Sequence, residues 1–89
     1  MNLIYADSYA SARAFARQQD LMPGDWKWIS DKSVFRQYQR ADIYKAPRWH
    51  AHPHRADIDK ALEDMARAHR LGSLNDLSGG FGNLGMSGG

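Results

Sequence analysis

The chain of 89 residues contains no cysteine, so it has neither a disulfide framework nor a thiolate metal site. No apolar run is longer than about five residues, which is far too short for a membrane-spanning helix or the apolar region of a signal peptide. We therefore expect a cytoplasmic protein that does not bind a membrane.

None of the predicted strand-to-helix turns has a glycine pattern that binds phosphate groups. G-x-x-x-x-G-K-[ST] does not occur, and G-x-G-x-x-G occurs only at residues 80–85, within the glycine-rich end of the chain. These patterns let the backbone of α/β proteins approach an anion closely where they join a strand to a helix. The glycine-rich run at residues 79–82 follows no predicted strand and opens no predicted helix. The G-x-S-x-G pattern of α/β hydrolases occurs only at residues 85–89, which also follow no predicted strand. We expect no cofactor and no enzymatic activity.

Basic residues are in small excess over acidic residues. The chain has 12 lysine and arginine residues against 10 acidic residues, which gives a formal charge of +2. The arginines are spread along the chain between acidic residues, whereas a dedicated nucleic-acid-binding protein concentrates its basic residues on one face. A solvated surface is the simplest interpretation, and weak, salt-dependent nucleic-acid binding is an alternative function.

Short apolar runs alternate with amphipathic segments along most of the chain. The pattern predicts strands over residues 3–6, 26–30 and 42–45, and helices over 9–19, 32–39 and 54–70. The order βαβαβα predicts an α/β fold of two or three layers with a three-stranded parallel sheet, Rossmann-like but without a phosphate loop. Residues 1–71 would form one domain and residues 72–89 a flexible, glycine-rich tail. The sheet edges and the tail both offer a route to a homodimer.

Two segments carry a resemblance to known proteins. The run Ser8-Tyr9-Ala10, with Ala12 and Ala14 after it, and the sequence LMPGDWKWIS at 21–30 resemble a group of small uncharacterised α/β proteins encoded by bacteriophages of actinobacteria. The resemblance covers about residues 2–70, and its most specific part is the Leu-x-Pro-Gly-x-Trp joint. It implies an α/β fold, a phage source and the cytoplasm of an infected bacterium, and it implies no mechanism.

Aromatic and basic residues follow the predicted strands. Ligands of open α/β sheets bind beyond the carboxyl ends of the strands, where Tyr9, Asp31 and the run Arg48-Trp49-His50 would lie. An exposed tryptophan beside an arginine is a common anchor of protein interfaces. We predict a small, non-enzymatic phage accessory protein that binds a host or phage protein through these five residues.

Three histidines alternate in the connection before the last predicted helix. In an extended segment the side chains of His50, His52 and His54 would point the same way, and neutral imidazole is a good ligand for zinc, nickel or copper. Pro53 interrupts this segment, so a solvated loop with chance histidines is the competing interpretation. A metal-binding module is therefore a further alternative function.

Overall fold

Three of the four strands of a parallel sheet come from apolar or aromatic runs of the sequence in the computed structural model, which describes residues 1–77. The strands are β1 (Asn2–Tyr5), β2 (Trp26–Trp28), β3 (Ala41–Lys45) and β4 (Leu71–Asp76). Every neighbouring pair is parallel, and the order across the sheet is β2-β1-β3-β4. The central strand β1 is apolar on both faces because both faces are covered, as is usual in parallel sheets.

Two α-helices and two short 3-10 helices connect the strands. The α-helices are α1 (Tyr9–Gln18) and α2 (Arg55–Arg67), and the 3-10 helices are η1 (Lys32–Gln37) and η2 (Trp49–Ala51). The hydroxyl of Ser8 accepts a hydrogen bond from the backbone N–H of Ser11 at 3.2 Å, which caps the first turn of α1. The second predicted helix, over residues 32–39, is the 3-10 helix η1 rather than an α-helix.

The core lies in two clusters, one on each face of the sheet, so the domain has three layers. The face covered by α1 contains Ile4, Ala6, Ala12, Phe15, Ala16 and Ala46. The face covered by η1 and α2 contains Leu3, Tyr5, Ile29, Val34, Phe35, Ala41, Ile43, Ile58, Leu62 and Met65. The predicted α/β class is confirmed.

The prediction of three strands is wrong, because β4 adds a fourth strand beside β3. The predicted flexible tail therefore begins with ordered strand residues, and its remainder, residues 78–89, lies outside the described residues. The sequence of β4 has no β-branched or aromatic residue and is typical of a loop; pairing with β3 determines its conformation. Gly72 is the extra residue of a bulge opposite Ala41 and Asp42.

Both α-helices end in a left-handed residue that is not glycine. Asp20 after α1 has a φ of 57° and His69 after α2 has a φ of 58°. The backbone N–H of Arg70 donates to the carbonyl oxygen of Met65, five residues earlier, at 2.8 Å. This is the 6→1 hydrogen bond of a Schellman motif. The chain leaves α2 at this point, three residues earlier than the sequence predicted, and turns directly into β4.

Candidate binding site

The carboxyl ends of β1 and β3 carry an ion pair. The Oδ2 atom of Asp7 lies 3.3 Å from the Nε atom of Arg48, with the side chain of Asp7 17% exposed and that of Arg48 73% exposed. The second oxygen of Asp7, Oδ1, is buried and has no hydrogen-bond partner among the described residues. The two charges therefore neutralise each other where the sequence predicted a contact with a partner.

Trp49, the predicted interface anchor, packs against the core. Its ring centroid lies 5.2 Å from that of Tyr5, and the Nζ atom of Lys45 lies 4.1 Å above the indole. The side chain is half-buried, whereas Arg48 and His50 beside it are exposed. A tilted aromatic contact and a cation–π contact thus hold Trp49 in the fold, which leaves less of its surface for a partner than the sequence predicted.

The other two predicted partner residues lie in different surroundings. The carboxylate of Asp31 caps η1: it accepts hydrogen bonds from the backbone N–H of Ser33 at 2.8 Å and from the Ser33 hydroxyl. These hydrogen bonds hold the pKa of Asp31 below its usual value. Tyr9 is the first residue of α1, and its ring joins Trp26 and Trp28 instead of Trp49.

The three histidines do not form a metal site, and that prediction is corrected. His52 is buried; its Nε2 atom lies 2.8 Å from the carbonyl oxygen of Ile29, and its Nδ1 atom accepts the backbone N–H of His54 at 2.9 Å. Both ring nitrogens are therefore occupied. The segment is not extended, because η2 precedes His52 and α2 starts after His54. Within residues 1–77, no group of three metal-ligating side chains converges.

His52 is instead the centre of a chain of aromatic contacts. Its ring centroid lies 5.7 Å from that of Trp28 and 5.9 Å from that of Tyr5. The indole Nε1 of Trp28 donates to the carbonyl oxygen of Ala6 at 3.0 Å, which fixes the orientation of this ring. Aromatic contacts thus continue from the α1 face of the sheet to the α2 face, in the order Trp26, Tyr9, Trp28, His52, Tyr5, Trp49.

A concave surface lies between α1 and the edge strand β2, and we call it the α1–β2 groove. Its volume is about 620 Å³. The loop between α1 and β2 closes the end away from Tyr9. The lining residues are Tyr9, Arg13, Arg17, Leu21, Pro23, Gly24, Trp26, Lys27 and Trp28.

The α1–β2 groove is cationic as well as aromatic. Arg13 and Arg17 are exposed and take part in no ion pair within residues 1–77. No carboxylate belongs to the described lining. Lys27 also borders the groove, but its amine donates to the side chain of Gln37 in η1 at 3.0 Å. Lys27 keeps its positive charge but is held toward η1, whereas Arg13 and Arg17 have no such partner within residues 1–77.

Sequence reasoning assigned these arginines to a scattered solvated surface. The signal that identifies them is the four-residue spacing of Tyr9, Arg13 and Arg17, which puts all three on one side of α1. The groove also needs β2 beside α1, and this neighbour depends on the strand order, which the sequence does not specify.

Comparison with family models, with curated proteins and with solved structures gives no match. The resemblance to small phage proteins therefore stays a prediction, and function is inferred from the residues of this chain alone. Among residues 1–77, no helix has both the length and the apolar character needed to cross a bilayer.

Proposed function

We propose that this chain is a non-enzymatic nucleic-acid-binding protein whose α1–β2 groove contacts the phosphate backbone. The observation that carries the proposal is the pair Arg13 and Arg17, which are exposed and without an ion pair among residues 1–77, in a groove whose described lining has no carboxylate. Arginine is well suited to phosphate, because its planar guanidinium donates two parallel hydrogen bonds. Phosphate contacts of this kind supply most of the affinity of sequence-independent binding.

The strand order β2-β1-β3-β4 with helices on both faces supports a Rossmann-like arrangement, in which small ligands bind where the strand order reverses. In this chain the reversal lies between β1 and β3, next to the Asp7–Arg48 ion pair. The arginine there is already engaged, which favours the α1–β2 groove over this edge as the anion site.

A phage accessory function and a protein partner bound at Arg48, Trp49 and His50 stay predictions. The geometry favours them less, because Trp49 is partly buried and already in contact with Tyr5 and Lys45. An interface hot spot needs an anchor that enters a pocket of the partner. Arg48 and His50 are exposed, but neither supplies a large apolar surface.

The test is fluorescence anisotropy of a labelled oligonucleotide of about 16 nucleotides, at the upper end of known single-strand site sizes. Two phosphate contacts predict that affinity falls about sevenfold between about 50 and 200 mM salt. The double charge-reversal variant, Arg13→Glu with Arg17→Glu, should abolish binding. The matched control is Arg36→Glu with Arg40→Glu, which changes the net charge equally at exposed positions outside the groove.

Loss of binding in the groove variant, with binding retained by the control, supports the proposed function. Equal loss in both variants means that net charge alone attracts the oligonucleotide and contradicts a specific groove. Absence of binding by the unmodified chain at low salt also overturns the proposal.

A further inference from the structure

We infer that the α1–β2 groove takes single-stranded rather than duplex nucleic acid, and that one base stacks on the ring of Tyr9. This inference rests on the proposed function, since it assumes that nucleic acid occupies the groove. The two arginines alone do not discriminate between single-stranded and duplex nucleic acid. The inference adds which of the two forms binds and names Tyr9 as the side chain that discriminates between them.

Tyr9 presents an open aromatic face beside the two arginines. One side of its ring stacks on Trp26, with centroids 5.9 Å apart and planes at 27°. The residue is nevertheless 55% exposed, so the opposite side of the ring faces solvent. A base placed there would extend the existing Tyr9–Trp26 stack by one ring, and base–aromatic stacking accepts any base because each has a π face.

The neighbours of Tyr9 hold it in place before any ligand binds. Trp28 meets the Tyr9 ring nearly edge-on, with an interplanar angle of 72°. Trp28 itself is fixed by its hydrogen bond to Ala6 and by its contact with His52. A ring held in this way loses little conformational entropy on binding, which favours affinity.

The arginines continue from Tyr9 along the same side of α1. Arg13 and Arg17 follow by one and two helical turns, about 6 and 12 Å along the helix axis. A strand whose base stacks on Tyr9 can therefore bring its next phosphates to the two guanidinium groups. A duplex offers the same phosphates, but its bases are covered by their neighbours in the stack, so it cannot use Tyr9.

The closing experiment compares single-stranded and duplex oligonucleotides of the same sequence with the Tyr9→Ala and Tyr9→Phe variants. Tyr9→Ala should weaken single-strand binding by about 5- to 150-fold, the range measured for loss of one stacked base. Tyr9→Phe should restore it, because phenylalanine keeps the ring. Duplex binding should be weaker in the unmodified chain and should change little in either variant. Thermal unfolding of each variant verifies that this exposed substitution leaves the fold intact.

The outcomes separate this inference from the proposed function. If the double reversal of Arg13 and Arg17 abolishes binding but Tyr9→Ala has no effect, the groove binds phosphate and the stacking inference is wrong. Equal weakening of single-strand and duplex binding by Tyr9→Ala also overturns it. If the unmodified chain binds neither form, both proposals fail together.

An acidic peptide is the occupant of another class that this groove would attract by charge. A competition with an unstructured poly-glutamate peptide tests it directly. Displacement only at much higher peptide concentration supports the nucleic-acid assignment. If the peptide displaces the oligonucleotide at an equal concentration, and Tyr9→Ala weakens peptide binding as much as oligonucleotide binding, the nucleic-acid assignment is overturned in favour of a protein partner.

Discussion

The Nε2 atom of His52 lies 2.8 Å from the carbonyl oxygen of Ile29, and this hydrogen bond joins the connection before α2 to the chain just after β2. The other ring nitrogen, Nδ1, accepts the backbone N–H of His54, so the tautomer with its proton on Nε2 fits both contacts. A single buried side chain thus satisfies two main-chain groups that are separated by more than twenty residues.

Replacement of this imidazole should destabilise the domain. His52→Ala leaves the Ile29 carbonyl without its partner and opens a cavity among Tyr5, Trp28 and His54. We expect the free energy of unfolding to fall by about 2–3 kcal/mol, from the unsatisfied polar groups and the lost packing. Urea denaturation measures it. The exposed His50→Ala is the control, with an expected change within about 0.5 kcal/mol; equal effects of the two substitutions would contradict the role of His52.

The hydroxyl of Tyr5 gives the stability of the domain an alkaline limit. Tyr5 is fully buried, and its hydroxyl donates to the carboxylate of Asp59 at 2.9 Å. Burial, followed by the hydrogen bond and the negative charge of Asp59, raises the pKa of this hydroxyl well above its usual 10.0. The neutral form is therefore the one that the fold favours. The resulting stability is complete below pH 10.0, the value for the unfolded chain, and is lost as the pH rises toward the folded pKa.

The measurement is the free energy of unfolding from neutral pH to above pH 10, for the unmodified chain and for Tyr5→Phe. The unmodified chain should lose stability steeply at the alkaline end. Tyr5→Phe should be less stable at neutral pH by about 1 kcal/mol, since it loses a hydrogen bond, and should show a shallower alkaline slope. Tyr9→Phe removes an exposed hydroxyl and controls for the loss of one tyrosine. Parallel slopes for Tyr5→Phe and the unmodified chain would show that Tyr5 does not set the limit.

Gly72 should not tolerate a side chain. A Cβ atom at this position would collide with the carboxylate of Asp42 and would lie 3.1 Å from the carbonyl oxygen of Ala41. The carboxylate can move only by giving up its hydrogen bond to Ser73. We expect Gly72→Ala to lower the free energy of unfolding by about 1–3 kcal/mol, measured by thermal or urea unfolding. The control is Ser73→Ala, which removes that hydrogen bond, together with the one that Ser73 accepts from Asn75, without adding an atom. A cost for Gly72→Ala no greater than about 0.5 kcal/mol would show that steric contact at Gly72 is not important.

The helices and β4 differ in how far local sequence determines them. The buried residues Ala12, Phe15 and Ala16 of α1 recur at helical spacing, and a hydroxyl that caps the helix precedes them. The strand β4 has no such pattern; its conformation depends on β3, which lies about thirty residues earlier in the chain. Strand propensity depends on the neighbouring strands, so the same six residues would read as a loop in another fold.

The candidate site divides in the same way. The spacing of Tyr9, Arg13 and Arg17 is visible in the sequence and puts them on one side of a helix. Their companion Trp26 comes from β2, and only the strand order brings it to Tyr9. The histidine prediction assumed an extended chain, in which alternate side chains point to the same side. Pro53 and the two flanking helices turn this segment, so the three imidazoles do not converge.

Arg70 should contribute far more to stability than the neighbouring arginine of α2. Its guanidinium donates to the carbonyl oxygens of Phe35 at 2.9 Å, Tyr38 at 2.6 Å and Gln39 at 3.1 Å. These carbonyls belong to the end of η1 and the loop that leads into β3, so one side chain ties this loop to the start of β4. Within residues 1–77, by contrast, Arg67 pairs only with exposed Glu63 and Asp64 on its own helix.

Hydrogen bonds to a charged donor contribute about 1.5–3 kcal/mol, whereas exposed ion pairs within a helix contribute about 0.3–0.5 kcal/mol. We therefore expect Arg70→Ala to lower the free energy of unfolding by about 2–3 kcal/mol and Arg67→Ala by less than about 0.5 kcal/mol. Arg70→Lys should recover only part of the loss, because an ammonium cannot match the planar array of donors that reaches three carbonyls. Urea denaturation of the three variants gives the comparison. A full recovery by lysine would mean that the positive charge alone stabilises this loop, and equal losses at the two positions would mean that the carbonyl contacts add nothing.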